Sequence, residues 1–279
     1  MIRYLFLLLS FVSVSSRYHS TDTILKRVEF LCTRDPQLTC SYENDILVVD
    51  WNKHMPMNQF WVMNEHAREI ITGEIGLQAV QLLTMVRPDI RITLIPILNV
   101  WGRKEVENGN NCLRKNSNGV DTNRNFQLMN NLKHYDQFSE EYEGIHPLSE
   151  KESQLVSGIL QRGVRRYINI HSGEYSIYMP WDSMVVIPPN VEKMKKMVAL
   201  FKKECDICNH GQAAAVSLYK AYGTSVDYAI SIGVPEAYTF EVFGREVYDC
   251  HKMFNPDASK MQDIMDMWAR ILKISISIP

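Results

Sequence analysis

Apolar and polar positions along this chain alternate between two rhythms. Residues 20–34 repeat as an amphipathic helix would, with Thr21 and Asp22 as capping candidates. ILVVDW at 46–51 and QFWVMNE at 59–65 are short β-rich runs and predict strands. Over 67–86 the apolar residues Ile70, Ile71, Ile75, Leu77, Leu82 and Leu83 fit a buried helix that stops before Pro88. RITLIPILN at 91–99 reads as a strand, and the Gly- and Asn-rich stretch 100–126 as a long loop of the functional kind. Ser149 and Glu152 make a capping-box pattern for a helix to Gln161. A strand RYINIH at 166–171 follows, then helices over 189–204 and 224–232 and a strand EAYTFEV at 236–242. Asn255 and Pro256 supply a cap and first turn for a last helix to Lys273.

Strands thus alternate with helices almost throughout. That order predicts a single α/β domain whose twisted sheet is mixed, mainly parallel, and covered by helices on both faces. No linker-like stretch, repeat or low-complexity tract divides the chain. In such sheets ligands gather at the carboxyl edge of the strands, so the polar clusters at strand ends are the candidates for chemistry.

Composition changes this picture little. The 279 residues are 46% hydrophobic and 22% charged, enough for a sizeable core. A net charge of −2 gives no sign of a nucleic-acid or membrane-surface partner. The start is distinctive: MIRYLFLLLSFVSVSS places Arg3 before an apolar stretch from Tyr4 to Val14, followed by small residues. It reads as a signal peptide over 1–16, leaving 17–279 as one domain that is secreted or held in the lumen of the secretory, lysosomal or vacuolar route. Six cysteines then have disulfides as their default reading, with the pairing open. Cys205-x-x-Cys208 followed by His210 is also compatible with zinc or redox chemistry, although no second cysteine pair with zinc-finger spacing accompanies it.

Three clusters lie at the strand ends. His66 and Glu69 stand three apart after QFWVMNE, His171 closes RYINIH, and Glu241 lies inside TFEV. Two imidazoles and a carboxylate are a known catalytic zinc set that leaves a position for water. Each residue has an ordinary reading as well: a structural histidine, or a carboxylate serving the helix dipole. Glu241 is flanked by Tyr238, Thr239, Phe240, Val242 and Phe243. It either faces solvent from a sheet edge or is buried at a cost that asks for a partner. Near a metal ion it would be a proton acceptor in an apolar setting.

Five segments in order resemble the zinc carboxypeptidases related to pancreatic carboxypeptidase A. HAREIIT at 66–72 resembles the H-x-x-E metal motif, GVDTNRNF at 119–126 the substrate-carboxylate motif, and NIHSG at 169–173 the third-ligand segment. SLYKAYGTSVDYA at 217–229 is similar to the stretch with a mobile tyrosine, and YTFEV at 238–242 to the one with the catalytic glutamate. The resemblance implies one Zn2+ held by His66, Glu69 and His171, with Glu241 as general base and Arg114 polarising the scissile carbonyl. It implies that Asn123, Arg124 and Tyr219 grip the terminal carboxylate of a peptide substrate and that Arg68 lines an outer subsite. Val226 matches the floor of the pocket for the terminal side chain. An apolar residue there implies an apolar or aromatic terminal residue, where an acidic one would imply Lys or Arg. The expected product is a monomeric exopeptidase acting on peptide or protein C-termini. The alternatives are a family member that hydrolyses a glutamyl or cell-wall amide, and a binding protein that has kept the fold.

The chain departs from the pancreatic pattern at Gly173, where those enzymes carry a tyrosine, and in VFGREVYDCHKMFNP at 242–256, which is more similar to a plant and protist branch. The stretch between Arg17 and His66 is too short for a folded activation segment, whose absence is therefore expected, as is that of an extra C-terminal β-domain. In the plant and protist branch cysteines near Arg114 and in the D-C-x-K-M-F-N-P stretch go together. The resemblance thus implies a Cys112–Cys250 disulfide first and Cys32–Cys40 second.

Overall fold

Eight strands form one sheet in the order β1-β2-β4-β3-β5-β8-β6-β7. They are β1 (Leu38–Glu43), β2 (Ile46–Trp51), β3 (Met57–Met63), β4 (Arg91–Ile95), β5 (Arg166–His171), β6 (Tyr175–Met179), β7 (Asn209–Gln212) and β8 (Glu236–Val242). The computed structural model describes residues 18–126, 133–217 and 219–278, so the signal peptide expected over 1–16 lies outside the described residues. The central run β4-β3-β5-β8 is parallel throughout, as is β6 with β7, while β1·β2, β2·β4 and β6·β8 are antiparallel. This is the mixed, mainly parallel α/β sheet expected.

Alternate side chains of β5 locate the helices. Arg166 donates to the Ser275 carbonyl of the last helix, α9 (Ala258–Ser277), at 2.7 Å, whereas Tyr167 and Asn169 reach Ser225 Oγ at the start of α7 (Ser225–Ser231), both at 2.9 Å. Successive strand residues point to opposite faces, so α9 and α7 cover opposite sides of the sheet. With α9 go α2 (Ile70–Val86) and α5 (Val191–Lys202); Phe240 of β8 packs against both Phe201 of α5 and Trp268 of α9. With α7 goes α4 (Lys151–Leu160), whose Ser157 Oγ lies 2.7 Å from the Tyr228 hydroxyl. Buried on both faces, β2 and most of β3 carry near-continuous apolar side chains, while β5 is equally buried but places Arg166, Asn169 and His171 among its apolar residues.

Several local expectations are corrected. β1, β6 and β7 were not predicted. β1 is a partly exposed edge strand joined to β2 by Asn44 and Asp45, both with φ near +60° (51° and 65°), a two-residue hairpin turn. β4 ends at Ile95, because Pro96 cannot donate to the ladder. The loop expected over 100–126 opens with a helix, α3 (Val100–Glu107), capped by Asn99, whose side chain accepts from Gly102 N. α4 starts after Glu150 with no side-chain cap; Ser149 donates to Glu150, and Glu152 accepts from Asn116. α9 begins after Asp257, not at Asn255–Pro256. Asn255 instead accepts from Ile71 N at 3.0 Å and donates to the Arg68 carbonyl at 2.9 Å, bracing the start of α2.

Disulfides join Cys32–Cys40, Cys112–Cys250 and Cys205–Cys208. The zinc reading of Cys205 and Cys208 gives way to this last bridge, since disulfide-bonded sulfurs are not thiolate ligands. Cys112–Cys250 closes a separation of 138 residues and anchors α8 (Cys250–Phe254), which walls the cavity described next. The paired Cys112→Ser and Cys250→Ser variant is expected to lose about 2–5 kcal/mol of unfolding free energy. Denaturant titration checks this, and an unchanged midpoint would contradict it.

Candidate active site

Three adjacent parallel strands, β3, β5 and β8, end on the same edge, and the candidate ligands and base cluster there. His171 and Glu241 are register partners on β5 and β8. After β3 the chain turns through Asn64, whose φ is +51°. Its side chain donates to the His66 carbonyl at 2.9 Å and accepts from the buried Arg103 at 2.8 Å. Arg103 also reaches the Ile70 carbonyl at 2.6 Å, so one guanidinium fixes both ends of the turn. Glu69 is the residue before α2 but makes no side-chain cap. Its carboxylate faces inward, where it also accepts from Ser172 N at 3.1 Å.

The result is a compact set of donors. His66 Nδ1 lies 2.7 Å from Glu69 Oε1, His171 Nδ1 lies 3.0 Å from Glu69 Oε2, and the two Nδ1 atoms are 3.1 Å apart. All three residues are buried, and one ligand atom from each lies within 4.8 Å of the others. Two imidazole nitrogens facing one another and a shared carboxylate are satisfied together by a cation between them. Zinc bound tetrahedrally at about 2.0–2.1 Å would set its ligand atoms about 3.3 Å apart, which these spacings approach. Burial works against charge on both Glu69 and His171, but the attraction of the carboxylate to the His66 and His171 imidazoles outweighs it. It holds the Glu69 carboxyl well below the usual range and raises the His171 imidazole to about 9. The residues therefore fit a divalent metal.

The motif reading gives Asp121 no role, although the residue sits inside GVDTNRNF. Its Oδ1 lies 3.1 Å from His66 Nε2, and its Oδ2 accepts from Arg114 Nε at 2.7 Å. A carboxylate behind a ligating imidazole fixes the proton on Nε2 and leaves Nδ1 for the metal. Burial pushes the Asp121 carboxyl up, but Arg114 and His66 bring it well below its ordinary value. Asp121→Asn is expected to weaken metal binding by about 10–100-fold, measured by competition with a chromogenic chelator; unchanged affinity would contradict this. Glu65 was also missed: its Oε2 stands 3.6 Å from His171 Nε2 and accepts from Asn169 at 2.7 Å.

Glu241 lies within the sheet between β5 and β6, not at a solvent-facing edge. Its Oε2 is buried without a hydrogen-bond partner, and burial holds its carboxyl well above the usual range. Arg114, Asn123, Arg124, Tyr219 and Arg68 line the same cavity of about 580 Å3 as the three donors and Glu241. Asn123 Oδ1 accepts from Ser225 N at 3.0 Å, and Arg124 is held by Glu141 at 2.6 Å. Tyr219 is 60% exposed at the cavity mouth. Arg68 pairs with Glu140 at 2.9 Å and lies 4.2 Å over the Phe254 ring. Val226 is not brought to the cavity: it is buried in the main core and absent from the described lining residues. Gly173 has a partner that accounts for its missing side chain. A Cβ there would stand 3.1 Å from the Phe254 ring, so Phe254 occupies that wall.

Comparison with known proteins agrees with this geometry. A zinc carboxypeptidase family model matches residues 38–269. Carboxypeptidase B2 of Rattus norvegicus is 25% identical over 274 residues, 82% of this chain and 64% of its own length. Carboxypeptidase B of Helicoverpa zea is 31% identical over 176 residues, 58% of this chain and 41% of its own. The chain therefore spans less than two thirds of the length of these relatives. Bovine thrombin-activatable fibrinolysis inhibitor, solved in complex with tick carboxypeptidase inhibitor, superposes with a TM-score of 0.80 at 23% identity, over 94% of this chain and 97% of that one. Carboxypeptidase A of Helicoverpa armigera gives 0.80 at 20%, over 94% and 75%. These likenesses establish a shared fold. Since the matched segment takes in the sheet and every donor at its carboxyl edge, the chain belongs to the zinc carboxypeptidase family.

Proposed function

We propose that this chain is a zinc-dependent metallocarboxypeptidase that hydrolyses the last peptide bond of peptides and proteins. The observation that carries the reading is one cavity holding both a metal-competent His66–Glu69–His171 set and a cationic receptor built from Arg124 and Asn123. When bound, the ion supplies a Lewis acid and lowers the pKa of a water ligand towards about 7. Glu241, desolvated and unpaired, takes the proton from the attacking water and returns it to the departing amine. Arg114, oriented by Asp121, stabilises the negative charge that develops on the carbonyl oxygen. The guanidinium of Arg124 matches a carboxylate as a planar fork, with Asn123 beside it and Tyr219 closing the mouth. Selection for a free carboxylate makes the enzyme an exopeptidase.

Every group named comes from one chain, so a monomer suffices. Three disulfides fit an oxidising, extracellular or lumenal setting, and no described helix is long and apolar enough to cross a membrane. The apolar terminal preference expected from Val226 has that residue alone as its support.

The test is a peptide digest read by mass spectrometry, with each peptide offered as free acid and as C-terminal amide. Loss of single C-terminal residues from the free acids only is expected. Equal cleavage of both, or internal cleavage, would contradict the receptor role of Arg124 and Asn123.

A further inference from the structure

We infer that residues 18–21 form a strap that positions the metal-bearing turn, so that docking of the strap and binding of the ion at His66, Glu69 and His171 reinforce each other. This rests on the zinc reading of that set. It gives positioning roles to Tyr18, His19, Glu74 and Arg103, none of which is among the described lining residues of the cavity. The strap is held by two carboxylates from two helices. Glu74, buried in α2, accepts from His19 N at 2.6 Å, and its other oxygen lies 2.7 Å from His19 Nδ1. Glu107, the last residue of α3, accepts from both Thr21 N and Thr21 Oγ1, at 2.7 and 2.8 Å. Between them Ser20 caps the first helix, α1 (Thr21–Arg34). Tyr18 packs on Ala67, Ile70 and Val106, the first of which stands between His66 and Glu69, and its hydroxyl donates to the Pro256 carbonyl at 2.8 Å.

Arg103 joins the strap to the turn. It is fully buried, with Nε 3.3 Å from Glu107 and Nη2 3.8 Å from Glu74. Nη2 donates to the His19 carbonyl at 3.1 Å, while Nη1 donates to Asn64 Oδ1 and the Ile70 carbonyl, at 2.8 and 2.6 Å. A guanidinium is planar and offers its donors in a fixed fork, so holding one end at His19 aims the other at the turn. Asn64 passes the restraint to the His66 carbonyl. Glycine is unfavourable inside a helix, yet Gly73 stands in α2 where a Cβ would lie 2.7 Å from Arg103 Nη1. It leaves the space that the guanidinium fills. Without the strap, Arg103 would lose the carbonyl that fixes its outer end, and buried Glu74 would lose its amide and imidazole partners. The turn would then visit positions in which His66 and Glu69 do not converge with His171. Coupling of this kind is reciprocal: whatever docking adds to zinc affinity, zinc adds to docking.

The experiment measures zinc affinity by competition with a chromogenic chelator, for the wild type and for the double variant Tyr18→Ala, His19→Ala, with folding followed by circular dichroism. We expect the folded variant to bind zinc about tenfold more weakly, within the usual range of coupling between sites. A strap that only adds stability would lower the unfolding midpoint and leave the zinc affinity of the folded protein unchanged, and that result would overturn the inference. A second arm uses the wild type alone and does not depend on the folding of the variant. On addition of zinc, hydrogen exchange at the His19 and Thr21 amides is expected to slow by about tenfold more than at amides of the edge strand β1, the reference for overall stabilisation. Slowing in parallel would overturn the inference. A wild type that binds no zinc would sink the metal reading and this inference with it, whereas normal binding without coupling sinks the inference alone.

Discussion

Replacing Glu241 by Gln is expected to lower kcat by about 10²–10⁴-fold, the usual contribution of a positioned general base, while metal content stays at the wild-type level. The amide keeps the size of the side chain but cannot accept and return a proton. Glu241 is not one of the three donors, and its place on the interior strand β8 is fixed by pairing with β5 and β6. The loss should therefore fall on turnover and leave the fold intact. The pH profile adds a second readout. Because burial raises the Glu241 carboxyl, its basic form is lost, as pH falls, while the pH is still above the ordinary glutamate value of about 4.3. The acid limb of kcat/KM should lie above that value in the wild type. Equal cleavage by wild type and variant would remove Glu241 from the mechanism.

Removing the metal is the second large effect. Dialysis against a strong chelator is expected to abolish hydrolysis, and added Zn2+ to restore it in the wild type but not in His171→Ala, which keeps only two donors. Binding should also depend on pH in a defined sense. The His171 imidazole, raised to about 9 beside Glu69, holds a proton at neutral pH that the ion must displace. Apparent zinc affinity should thus rise about tenfold per pH unit from 7 towards 9, with a proton released on binding. Titration in two buffers of different ionisation enthalpy measures that release; no release would contradict a protonated His171 in the metal-free protein.

How much of this could be read from the chain depends on how local each signal is. The buried strands and long helices announce themselves through β-rich or apolar runs, as in ILVVDW and in 67–86. β7, whose residues NHGQ are half-exposed at the sheet edge, has no such period, since its register comes from pairing with β6. Of the site, His66, Glu69, His171 and Glu241 are legible as residue types at strand ends, with the motif order supplying the rest. Asp121 is not, because an aspartate's role is set by what it faces after folding, here an imidazole from β3's end. Val226, matched to the pocket floor by the resemblance, is a buried member of the core cluster two residues after the lining residue Thr224. Gly173 would have signalled an open wall, had Phe254 of a distant helix not filled it.

The account rests on one ion shared by side chains from two distant segments. Anomalous diffraction at the zinc edge, from crystals of protein purified without added metal chelator, tests that directly. The expected result is a single peak within about 2.0–2.2 Å of His66 Nδ1, His171 Nδ1 and a Glu69 oxygen. A peak bound elsewhere, or none after zinc is supplied, would contradict it.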